Sequence, residues 1–142
     1  MQTRIVITGH GHYASGAKST IELIAGHQAG IAYWDFGIDW QYEDLSTAIK
    51  NHLNEFPEDE MLFLCDIIGG TPFKLAVEHT HQLERVVVVA GVNMSAMIEV
   101  ILQRDILSLE SLALLAVTET QGTVARFVQS ANYRPESVLE GI

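Results

Sequence analysis

Short β-branched or apolar runs alternate along this chain with stretches in which apolar residues recur every three or four positions. RIVIT (Arg4–Thr8), IAYWDF (Ile31–Phe36), MLFLC (Met61–Cys65) and RVVVVA (Arg85–Ala90) are short and mostly apolar throughout, the pattern of strands buried on both faces. Between them, Ala17, Ile21, Ile24 and Ala25 fall at helical spacing within residues 14–26, and Gly26 supplies a stop. Leu45, Ala48, Ile49, Leu53 and Phe56 share one face of a helix predicted over 42–56, which ends before Pro57. Further helices are expected from Thr71 to about Gln82, with Thr71 as N-cap and Pro72 at the first helical position, and over 95–103. A last long helix is expected over 109–129, broken near Gly122, with 132–142 a tail or an added strand.

Strands separated one from the next by helices predict a parallel sheet covered on both faces, a three-layer α/β/α fold. At 142 residues with 48% apolar and 18% charged residues, one domain with a real core is expected. Eight Lys and Arg against 18 Asp and Glu leave a net charge of -10, which argues against nucleic acid or an anionic membrane as partner. The lone Cys65 allows no internal disulfide. No signal-peptide pattern opens the chain and no run approaches a membrane span, so a cytoplasmic location is expected.

The residues that pack no core gather after the strands: GHGH after the first, DFGID after the second, DIIGGTP after the third and GVNM after the fourth. In an open parallel sheet those carboxyl ends border the ligand crevice. His10 and Asp66 follow the first and third strands, which can be neighbours there. An imidazole beside a carboxylate has its tautomer fixed and one ring nitrogen left as a nucleophile. Gly9 and Gly11 would let backbone amides approach, and Thr71 would add a hydroxyl and a helix N-terminus, so a phosphoryl group is the favoured target.

Three motifs, IVITGHGHYASG, LCDIIGGTPF and AGVNMSAMIEVI, give the chain a resemblance to the IIA component of the mannose/sorbose-type sugar phosphotransferase system (PTS) over roughly residues 5–128. The resemblance implies that His10 accepts a phosphoryl group from the phosphocarrier HPr and passes it to a IIB domain. Asp66 matches the aspartate that orients this histidine, and Thr71 the Ser or Thr of the GG[ST]PF loop. The implied catalytic residues are thus His10 and Asp66; Gly9, Gly11 and Thr71 bind phosphate, and His12, Gly70, Pro72 and Asn93 line the rim. The resemblance further implies sheet order 2-1-3-4 and a dimer that exchanges an antiparallel C-terminal strand, sought within 125–139. No metal or organic cofactor is implied. Membrane components, IIC and IID, would be reached only through IIB, and since the chain ends at Ile142 a separate IIB is expected.

The second histidine, His12, departs from family members that carry an aromatic or other apolar residue there; it would tune His10 or sit at the rim. Two other readings stay open. One is the related phosphodonor domain of dihydroxyacetone kinase. The other is a chelatase-like metal module built on His10 and His12, with Asp66 and the more distant Asp35 as further ligands. The glycines of GHGHYASG do not make G-x-G-x-x-G, since Gly16 falls two positions late. His27, His52, His79 and His81 are expected on the surface, Cys65 as an inert core residue, and Met94 and Met97 as packing.

Overall fold

A computed structural model describes residues 2–132. Its elements follow the order β1 (Arg4–His10), α1 (Tyr13–Ala25), β2 (Ile31–Phe36), α2 (Tyr42–Glu55), β3 (Met61–Cys65), α3 (Thr71–Thr80), β4 (Val86–Ala90), α4 (Met94–Gln103) and α5 (Leu109–Thr123). The four strands form one sheet in the order β2-β1-β3-β4, every pair parallel. The expected α/β class and strand order are both present.

Alternation along the central strands divides the core in two. Ile5, Ile7, Leu62 and Leu64 face a layer that includes Ala14, Ala17 and Ile21 of α1, Met97 and Val100 of α4 and Leu112 and Ala116 of α5. Val6, Met61, Phe63 and Cys65 face the other way, onto Leu45 and Ile49 of α2 and Leu75 and Ala76 of α3. Burying a Leu, Ile or Phe side chain contributes about 1.5–3 kcal/mol, so two such layers hold the sheet between its helices. Its carboxyl ends can then carry residues that contribute little to packing.

Several boundaries differ from the sequence reading, and some of the differences bear on function. β1 does not end at Thr8: Gly9 pairs with Asp35 and His10 with Phe36, so sheet pairing carries the histidine itself. Thr71 is not the N-cap of α3. Gly70 holds that place in extended backbone, and Lys74 donates its amide to the Gly70 carbonyl at 2.9 Å. The last helix ends at Thr123 and does not reach Gln129, and residues 124–130 have no regular structure. No strand occurs in the described part of 125–139; residues 133–139 lie outside the described residues. No helix among the described residues is long and apolar enough to cross a membrane.

Candidate active site

β1 lies between β2 and β3, so its carboxyl end is flanked by Asp35 and Phe36 on one side and Asp66 on the other. Asp66 stands one residue beyond β3, where the chain leaves the sheet. Its Oδ2 accepts the His10 backbone amide at 2.8 Å and lies 2.9 Å from His10 Nδ1. Its Oδ1 accepts the amide of Ile67 at 2.8 Å. A carboxylate can only accept, so the pairing places the proton of a neutral His10 on Nδ1 and leaves the Nε2 lone pair unprotonated. The His10 side chain is 43% exposed and that of Asp66 only 11%. The imidazole is open while the carboxylate that pairs with it is shielded.

Two further contacts hold the imidazole. Its ring meets Phe36 edge to face, centroids 5.7 Å apart at 84°. On the other side the backbone turns at Gly70, where an added Cβ would sit 2.9 Å from His10 Cε1. The N-terminus of α3 therefore abuts the ring, and a glycine is what permits it. Thr71, half-buried, opens that helix with no hydrogen bond to its hydroxyl or its amide among the described residues. The helix dipole and open amides make this a favourable place for an anion.

The two glycines expected to offer amides to phosphate do something else. Gly9 is buried in the sheet, where an added Cβ would stand 2.5 Å from the Tyr13 ring and 2.8 Å from Asp66 Cγ. It provides room for both. Gly11 spends its amide on the Phe36 carbonyl at 2.7 Å, and its φ of 60° lets the chain turn into α1. Asn93 caps α4 by accepting the Ala96 amide and donates to Thr123 Oγ1 at 2.8 Å, so its side chain joins α4 to α5. Pro72 is buried in the first turn of α3.

His12 turns to its own acid. Its Nδ1 lies 3.4 Å from Asp35 Oδ2, and the ring is 78% exposed. Asp35 also accepts the Ser15 amide at 2.9 Å and the Ser15 hydroxyl at 2.6 Å. Burial alone would raise the Asp35 carboxyl, but the Ser15 and His12 donors outweigh it and hold it below its ordinary value. Beside this cluster a pocket of about 150 Å³ is lined by His12, Trp34, Asp35, Ile38, Asp39 and Trp40. No three His, Cys, Asp or Glu side chains gather as a metal-ligand set among the described residues.

Cys65 is buried in β3, and burial first, then the Asp66 charge, push its thiol up to about 12. It is inert, as expected. His27 and His81 are exposed. His79 and His52 are not simple surface residues: His79 Nε2 is 2.8 Å from Ser46 Oγ, and His52 sits between Trp34 and Phe56 with centroids at 5.3 and 5.1 Å. Sequence reasoning missed Ser15 altogether and gave Asp35 no positioning role. An acid ending a strand and a serine in the first turn of the neighbouring helix were the available signals.

Comparison with known proteins places this arrangement among relatives. Residues 4–116 match the family model described as PTS system fructose IIA component. The PTS system fructose-specific EIIA component of Bacillus subtilis is 31% identical over 109 residues, 76% of this chain and 75% of that protein. The PTS system mannose-specific EIIAB component of Escherichia coli is 33% identical over 106 residues, 74% of this chain. The chain spans only about a third (33%) of that longer relative. Among solved structures, the PTS component EIIA of Streptococcus agalactiae superposes with a TM-score of 0.79 at 28% identity, covering 87% of this chain and 96% of that one.

Proposed function

Since the chain belongs to the PTS system fructose IIA component family, a mannose-type EIIA family, we propose that it relays a phosphoryl group from phospho-HPr to a IIB domain through Nε2 of His10. The observation that carries the reading is the single Asp66 oxygen that takes both the amide and Nδ1–H of His10. With that proton held, the Nε2 lone pair attacks phosphorus while the P–N bond to the donor histidine breaks, and the donor ring, already protonated on its other nitrogen, takes the bonding pair and departs neutral. His10, now carrying phosphorus on Nε2 and a proton on Nδ1, bears positive charge that the Asp66 carboxylate offsets. Transfer onward to IIB reverses the step. No proton needs to move, and exchange between two imidazoles is nearly balanced in energy. The site's task is alignment and charge stabilisation.

The Thr71 hydroxyl and the first amides of α3 receive the phosphoryl oxygens in this reading, in place of the cations that an acidic chain supplies sparingly. His12, Gly70 and Pro72 border the face where partners dock. The protein works in the cytoplasm as a homodimer and approaches the membrane components only through IIB. Support for self-association comes from the exposed apolar residues Leu114, Val117, Val124 and Val128 on and after α5.

The test is phosphorylation with phosphoenolpyruvate, enzyme I and HPr, followed by intact-mass measurement. One acid-labile phosphoryl group per chain is expected in the wild type and none in His10→Ala. A labelled His10→Ala protein would exclude His10 as the acceptor. Delivery to a dihydroxyacetone kinase subunit, and not to IIB, would replace the second half of the relay.

A further inference from the structure

His10 is anchored to β3 by Asp66, and a second carboxylate mirrors that anchor from β2. Asp35 ends in three contacts with the segment that follows His10: Ser15 amide to Oδ1 at 2.9 Å, Ser15 hydroxyl to Oδ2 at 2.6 Å, and His12 Nδ1 to Oδ2 at 3.4 Å. The next residue, Phe36, continues the clamp. Its carbonyl accepts the Gly11 amide at 2.7 Å, its Cα pairs in register with His10, and its ring meets the His10 imidazole edge to face.

Without these contacts the turn would be poorly held. The His12 side chain supplies no capping hydrogen bond to α1, although it occupies the N-cap position, and Gly11 turns the chain at positive φ. The first turn of α1 has no acidic residue of its own. Asp35 supplies the missing acceptor from the neighbouring strand, as a side-chain cap does. Its negative charge is directed at a helix N-terminus, which favours it. It also pairs with the second imidazole, so that His10 and His12 each have their own carboxylate, on opposite sides of β1.

We propose that Asp35 is a positioning residue for phosphoryl transfer, acting with Ser15 to hold the Gly11–Ser15 turn and thereby fix the His10 ring between Asp66 and Phe36. The proposal rests on His10 being the phosphoryl acceptor. Asp35 does not touch the phosphoryl group. It sets where Nε2 points, and a small misplacement of a nucleophile is costly to the reaction step.

Steady-state transfer from phospho-HPr separates this role from partner docking. Asp35→Ala should lower kcat about tenfold with KM unchanged, while Asp35→Asn, which keeps an acceptor for the Ser15 amide, should stay within about threefold of wild type. Ser15→Ala should lower kcat about two- to threefold, and adding it to Asp35→Ala should cost little more, because the short contact of the Ser15 hydroxyl, 2.6 Å, is the one to Asp35. Imidazole 15N spectra of the unphosphorylated protein give a second readout. His10 should show one Nδ1–H tautomer in the wild type and a mixture of tautomers in Asp35→Ala.

Unchanged kcat with a single tautomer in Asp35→Ala would overturn the proposal, as would a rise in KM alone or additive effects of the two substitutions. If Asp35→Ala fails to fold, Ser15→Ala and Asp35→Asn decide by the same kcat and spectral criteria. If the wild type accepts no phosphate at all, the relay fails, and the spectra still report whether Asp35 orients His10.

Discussion

His10 combines an exposed ring with a shielded partner, and the two properties come from different residues. Asp66 is nearly covered, so its hydrogen bonds to the histidine are screened little by water and salt. Replacing it isolates that contribution. Asp66→Asn keeps the shape but loses the charge and lets the amide offer a donor to Nδ1. The expected result is a fall in kcat for phosphoryl transfer of about 10- to 100-fold, the kinetic equivalent of a charge-assisted hydrogen bond worth ~1.5–3 kcal/mol. Stopped-flow transfer from phospho-HPr checks this, and a rate within twofold of wild type would remove Asp66 from the mechanism. His10 and Asp66 were both legible in the sequence, because a histidine among glycines and an acid opening a Gly-rich loop have little packing use. Asp35 was harder to read. As a lone acid at the end of an apolar strand it could bind solvent, metal or a helix, and the neighbour's Ser15 decides among them.

At the scale of elements, β2 and β3 occupy the ranges read from the sequence, Ile31–Phe36 and Met61–Cys65, because their apolar runs stop where turn formers begin. β1 was read two residues short. Gly9 and His10 have no strand preference of their own, and only pairing with Asp35 and Phe36 extends the strand through them. The N-terminus of α3 was misread for a similar reason: Thr71 is a good cap, but the close approach of Gly70 to His10 moves the cap one residue back. α2 offers a test in which pH has a definite sign. His52 is half-buried between Trp34 and Phe56, and burial first, then the Arg4 charge, lower its pKa from the ordinary value of 6.5, partly opposed by Glu55. The fold thus favours the neutral ring. Above 6.5 both folded and unfolded states are neutral and nothing is lost; below it the unfolded chain takes the proton first, and stability falls until the folded ring also titrates. Thermal unfolding between pH 7.5 and 5.5 should show a larger loss in the wild type than in His52→Phe. Equal slopes would mean that His52 carries none of it.

For the whole molecule, the sheet order does most to create the site, since it brings β1 between the two strands whose ends carry acids. The periodic pattern specified a parallel sheet with helices on both faces, and the two hydrophobic layers agree with it. The C-terminal region was not legible in the same way. Val124 and Val128 stand four positions apart, a spacing that would continue α5, yet residues 124–130 form no helix and both side chains are exposed in the single chain. Our proposed homodimer gives them a use. Sedimentation velocity should return twice the chain mass for the full protein and a single chain mass after truncation at Val124. A monomer at micromolar concentration in the full protein would exclude the dimer.

The sequence by itself determined the strands and helices, the three layers and the concentration of chemistry at strand ends, because hydrophobic period and turn composition are local properties that burial converts directly into structure. Tertiary structure alone decided that Asp35 meets Ser15, and it set the hydrogen-bond geometry by which Asp66 holds His10. His10 and Asp66 are 56 positions apart, and Asp35 and Ser15 are 20 apart. Such pairs are set by strand order and register, and no local pattern encodes a distance between residues that meet only after the sheet has formed.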